Sequence, residues 1–114
     1  MKFKLLVGST LLVLASNVFA HGMMSMTYPE DGAMLMSQAE RLEMHFKAPV
    51  KLVSLKVVPN GGKPVAAQFD RGAKASEHIK VKLPMLEPNT YQVHWKAMGA
   101  DGHMMKGSYG FMQH

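Results

Sequence analysis

Apolar and polar residues alternate with a period of two along most of the chain. Over Glu40–Lys47, Leu42, Met44 and Phe46 alternate with Glu43, His45 and Lys47, the pattern of a half-buried strand. After a break at Ala48-Pro49, a second strand is expected over Val50–Val58, with Val53, Leu55 and Val57 on one face. Asn60-Gly61-Gly62 is a tight-turn signal, because Asn and Gly tolerate positive φ. Lys63–Phe69 reads as a third strand, its Pro64 marking an edge or a strand start, and Asp70–Ser76 as a polar loop. His78–Leu83 alternates again, with Ile79, Val81 and Leu83 facing one way. Pro84–Pro88 interrupts, and Asn89–Ala97 is the clearest strand: Tyr91, Val93, Trp95 and Ala97 inward, Gln92, His94 and Lys96 outward. Met98–His103 is a loop and Lys106–Met112 a last strand, while Gln38–Arg41 has room for one helical turn at most. Strand signals this frequent, separated by turns, predict an all-β domain, a small Greek-key β-sandwich or barrel.

The first twenty residues break this pattern. Lys2 and Lys4 form a basic start, Leu5 to about Ala15 an apolar run, and Val18-Phe19-Ala20 a small-residue cleavage signal, the three regions of a secretory signal peptide. An uncleaved anchor or a cut after Ala15 are the alternatives. With residues 1–20 removed, 94 of the 114 residues remain as a single domain, 21–114, and the formal charge falls from +5 to +3 with the loss of Lys2 and Lys4. The apolar run is short for a bilayer span, so stable membrane insertion after processing is not expected. The scattered lysines form no basic run with interleaved aromatics, which argues against nucleic acid as a partner. There is no cysteine, so neither disulfides nor thiolate metal sites are available. Methionine is the compositional outlier, with twelve in the chain.

Cleavage after Ala20 would place His21 at the amino terminus. There the free α-amine and ring Nδ1 of one residue can bite a single ion, at low entropic cost. Two nitrogens in one plane suit tetragonal N/O coordination, hence Cu(II), which also tops the divalent affinity order. Ala100-Asp101-Gly102-His103 offers a third nitrogen and an oxygen, with Gly102 letting both side chains turn to one point. The candidate ligands are therefore His21, Asp101 and His103, and the expected ion Cu(II). Taken singly, Asp-Gly is a common turn pair and most loop histidines are merely solvated; it is their combination with a terminal histidine that is unusual. By alternation His45, His78 and His94 read as surface residues, and His114 as a mobile terminus. Met44 belongs to the inward face of its strand, and Met23, Met24, Met104 and Met105 are read as gap-filling core residues rather than thioether ligands.

The start at His21, Pro29-Glu30-Asp31-Gly32-Ala33, Tyr91-Gln92-Val93-His94-Trp95, and the ending Asp101-Gly102-His103 with Gly107 and Phe111 together resemble the periplasmic copper-resistance protein C (CopC) family, along the whole processed length. The resemblance implies an immunoglobulin-like sandwich in the bacterial periplasm. It also implies a Cu(II) site from His21, Asp101 and His103, and cooperation with an inner-membrane copper protein of the CopD type. Some members carry a Cu(I) site in a Met- and His-rich central loop; here residues 59–77 hold neither Met nor His. A monomer that sequesters or delivers copper, and is not an enzyme, is the leading expectation. Two other classes remain: a copper oxidase or monooxygenase that uses a terminal histidine on polysaccharide, and a metal-free β-sandwich interaction domain. One tryptophan, assigned to an inward face, equips the chain poorly for the former.

Overall fold

The computed structural model describes residues 23–114; the expected signal segment and His21 lie outside the described residues. Six strands follow in order: β1 (Met24–Tyr28), β2 (Ala33–Leu35), β3 (Arg41–Pro59), β4 (Ser76–Lys82), β5 (Asn89–Gly99) and β6 (Met104–Gln113). They are hydrogen-bonded in the order β1-β3-β5-β6-β2, with β4 on β3, and only the short β2–β6 pair is parallel. The all-β sandwich class expected from the alternation is what the chain adopts, as a sheet curled over one core.

The long β3 sets the shape. Its first part, Arg41–Phe46, lies between β1 and β4, whereas Val50–Pro59 pairs with β5. The expected break at Ala48-Pro49 is thus a change of partner within one strand. Pro49 has no N–H to give to a ladder, and the β3–β4 register breaks between His45 and Val50. A strand that passes from one layer to the other in this way makes the corner of a sandwich. Across the corner the edge of Phe46 meets Trp95, ring centroids 5.3 Å apart, so the two layers share one interior.

Alternation gives the core its residues: Leu42, Met44 and Phe46 from early β3, Val81 from β4, Tyr91, Val93, Trp95 and Ala97 from β5, Tyr109 and Phe111 from β6, all buried. Each fully buried Val, Leu or Phe side chain contributes about 1.5–3 kcal/mol. The ring of Tyr91 stacks on Phe111, and its hydroxyl donates to the Glu87 carbonyl four residues upstream, a tyrosine corner that ties the Pro84–Pro88 connection to the sheet.

Two expectations, for Val53 and for Lys63–Phe69, are corrected. Val53 does not share a face with Leu55 and Val57: the β3–β5 register shifts between Leu52 and Ser54, so Val50 and Leu52 point inward before this bulge and Leu55 and Val57 after it. One extra residue reverses the parity, which a strict period of two cannot anticipate. Lys63–Phe69 forms no strand; a lone bridge, Val65 N–H to Val57 O at 2.7 Å, attaches it. Its alternation is still real, because Val65, Ala67 and Phe69 are half-buried against the core. No helical turn occurs at Gln38–Arg41, where the Ala39 N–H donates to Gln113 Oε1 (2.8 Å) while Gln113 Nε2 donates to the Leu86 carbonyl (3.0 Å). β1 and β2 were not expected. They are short, and only Thr27 of β1 is fully inward. Asp31 docks the turn between them by accepting from the Gly110 N–H at 3.0 Å.

Candidate metal centre

β5 and β6 form a hairpin whose last pair is Met98 with Met104. The turn is closed by Gly99 N–H to His103 O (2.9 Å) and Gly102 N–H to Gly99 O (3.0 Å), with Gly102 at φ +86°, the left-handed region open to glycine. This conformation sets the side chains of Asp101 and His103 beside each other. Asp101 Oδ1 accepts from the His103 N–H at 3.0 Å, and its Oδ2 lies 2.9 Å from His103 Nδ1. Both side chains are exposed, 68% for Asp101 and 83% for His103.

The pair is electrostatically coupled. The hydrogen bond to the His103 ring, then that to the His103 N–H, lowers the Asp101 carboxyl below its ordinary range. The same carboxylate, through its hydrogen bond and then its charge, raises His103 above its ordinary 6.5. An imidazole whose Nδ1 faces a carboxylate presents Nε2 outward, and removing the Nδ1 proton would turn both facing atoms into donors. Two donors about 2.0 Å from one ion and at right angles stand about 2.8 Å apart, so the pair fits adjacent corners of a square-planar site.

His21 lies outside the described residues. The strand that follows it is antiparallel to β3, so passing from Tyr28 back to Met24 follows β3 from Glu43 to Phe46. β3 continues to Val50, which pairs with Gly99 at the base of the hairpin. β1 therefore begins facing the hairpin end of the domain, and Met24 lines one cleft with Trp95, Gly107 and Ser108.

The other histidines and the methionines divide. His94 is outward on β5, paired between Lys56 and Ser108. His45 and His78 are on the outer surface, as alternation implied, but they are not separate: they are direct cross-strand partners, and both approach Glu43. No local spacing signals this, because β3 and β4 meet only through their register. Met23, Met24 and Met105 pack against the core as expected, whereas Met104 is half exposed (50%) beside Met98 at the foot of the hairpin and fills no core gap. Among the described residues no helix is long and apolar enough to cross a membrane.

Comparison with known proteins extends these observations. The CopC domain family model matches residues 24–114. Copper resistance protein C of Escherichia coli is 27% identical over 116 residues, covering 94% of this chain and 92% of that protein. Among solved structures, CopC from Methylosinus trichosporium OB3b is similar with a TM-score of 0.68 at 18% identity, over 80% of this chain and 91% of that one. PcoC, a methionine-rich copper resistance protein from Escherichia coli, is similar with a TM-score of 0.66 at 22% identity, over 81% of this chain and 97% of that one.

Proposed function

The chain belongs to the CopC family, and from that premise we propose that it is a periplasmic protein, freed of residues 1–20, that carries Cu(II) as cargo between its terminal amine, His21, Asp101 and His103. The observation that carries this reading is the 2.9 Å separation of Asp101 Oδ2 and His103 Nδ1 on an exposed turn. A carboxylate and an imidazole so placed offer one oxygen and one nitrogen to a single ion. His21 precedes Met24 by three residues, about 10 Å of extended chain. That reach, started toward the hairpin end by β1, supports its joining the pair. The amine and ring of His21 then supply two further nitrogens, and the set of three nitrogens and one oxygen suits tetragonal Cu(II).

A carrier role is favoured over polymer oxidation by where the aromatic residues lie. Trp95, Tyr91, Tyr109 and Phe111 are buried, and the large exposed apolar side chains among the described residues are all methionines. Among the described residues, no flat aromatic platform is available to seat a polysaccharide. In this reading the protein works as a monomer and passes copper to, or takes it from, an inner-membrane protein of the CopD type.

The test compares the exported protein with a version carrying one additional residue before His21. The exported form is expected to start at His21 by intact mass, to bind one Cu(II), and to give the electron-spin-resonance spectrum of a tetragonal N/O site. The extended form should bind far more weakly, since its amine is displaced from the chelate. Equal affinity in the two forms would remove His21 from the site.

A further inference from the structure

A second group of donors lies on the outer face of the β1–β3–β4 layer. Glu43 and His45 are two positions apart on β3 and so share a face, while Leu42 and Met44 beneath them are fully buried. His78 of β4 is the direct partner of His45, and Lys80 the partner of Glu43. His78 Nε2 is 3.2 Å from Glu43 Oε1, and His45 Nε2 is 3.6 Å from the same oxygen. The two imidazole rings face each other with centroids 3.7 Å apart and planes 33° from parallel. One donor atom from each of the three residues falls within 4.8 Å of the others.

Hydrogen bonding accounts for only part of this arrangement. The His78–Glu43 contact is a hydrogen bond, but 3.6 Å from His45 to Glu43 is beyond hydrogen-bond reach. Three donors about 2.0 Å from one ion at tetrahedral angles stand about 3.3 Å apart, between the two nitrogen–oxygen distances seen here.

We propose that Glu43, His45 and His78 form a second metal site, separate from the hairpin, that takes a divalent transition ion of the zinc type in a tetrahedral His₂Glu set with one position open. The neighbouring groups select the ion. Arg41 occupies Glu43 Oε2, which leaves Oε1 aimed at the imidazoles, and the Arg41 guanidinium lies over the Tyr28 ring, 4.4 Å from its centroid. With Arg41 and Lys80 beside a single carboxylate, the locality has too little negative charge for Ca²⁺ or Mg²⁺, which need several oxygens. Two neutral imidazoles suit zinc, or copper by the general affinity order. The ligands stand on paired strands over a packed interior, so little ordering is left to binding. Met26 is the neighbour of His45 on the β1 side, and the His45 carbonyl accepts from Ser25 Oγ at 3.2 Å.

The experiment is a Zn(II) titration of the exported protein and of its His103→Ala and His78→Ala variants, by equilibrium dialysis and by NMR of the histidine ring protons. His103→Ala is expected to keep a Zn(II) equivalent that shifts the His45 and His78 signals and leaves His94 and His114 in place. His78→Ala, whose side chain is on the surface, should keep its fold by circular dichroism and weaken that equivalent at least tenfold, while the hairpin still binds Cu(II). The proposal is overturned if the His45 and His78 signals stay fixed at saturating Zn(II), if His94 and His114 shift equally, or if His78→Ala binds as tightly as the parent. A failure of the hairpin reading would look different: His103→Ala would leave Cu(II) affinity untouched.

Discussion

The turn Ala100–His103 and the outer face around Glu43 bring similar donors together by opposite means. Asp101 and His103 are two residues apart, exposed, and aligned by one positive-φ glycine and three hydrogen bonds within residues 99–103. Glu43 and His78 are 35 residues apart and meet only because β3 and β4 pair in one register over a buried face. The first pair stands 2.9 Å apart, suited to a right angle at a metal, and the second set 3.2 and 3.6 Å, suited to a wider one. Local chain geometry brings two exposed side chains together within one turn. Sheet geometry brings three side chains from two strands to one outer face through the pairing register.

The largest expected difference between the regions is in copper affinity. His103→Ala should weaken Cu(II) binding by more than about 100-fold, since loss of mere outer-shell partners already costs 10–100-fold. His94→Ala, outward on β5 between Lys56 and Ser108, should leave it unchanged. Competition against a chelator of known strength measures both, and equal losses would mean that the hairpin has no special part.

Next in size is the coupling of each region to the core. A Cβ on Gly107 would come 2.7 Å from Cζ2 of Trp95, so Gly107→Ala forces the indole to move. A destabilisation of about 1–3 kcal/mol is expected from such overpacking, read by urea unfolding. The loss should reach the hairpin, which is carried on the β5–β6 ladder, more than β4, which pairs only with β3. Native-state hydrogen exchange would show that contrast, and uniform loss of protection in both hairpin and β4 would contradict it.

The smallest effects are in pH. Asp101 raises His103 above 6.5, so their interaction stabilises the fold below that value and is lost as pH rises through the raised value. Copper has to displace that proton, and affinity should therefore begin to fall at a higher pH than for a free imidazole. Asp101→Asn should return the His103 titration, followed by NMR, to near 6.5. Glu43 behaves oppositely: Arg41, and after it His78, holds its carboxyl down to about 2 from 4.5. Its stabilisation is present above 4.5 and is lost as pH falls from there to about 2. Glu43→Gln should flatten the acid stability profile in that window, and an unchanged profile would mean that the ion pair does not form in solution.

The sequence was most readable where a signal was local. Leu42, Met44 and Phe46, and Tyr91, Val93, Trp95 and Ala97, are inward as alternation required, because a strand side chain's face follows from its own parity. Asp101 and His103 were legible as a pair for the same reason, with the glycine that joins them in view. Val53 departs from the expected face because a bulge is a property of two strands in register and leaves no mark in one of them. The Lys63–Phe69 alternation was correct about which side chains turn to the core, yet burial does not by itself provide a hydrogen-bonded neighbour.

By itself, then, the sequence determined the all-β class, the inward faces of β4, β5 and the first part of β3, and the placing of Asp101 beside His103 on the last hairpin. These depend on residues one or two positions apart, where backbone geometry leaves little freedom. Tertiary structure alone decided that β3 changes partners at Pro49, that β1 starts toward the hairpin, and that His45, His78 and Glu43 converge. Those are relations between strands distant along the chain, and they exist only once loop closure has been offset by burial of a shared core.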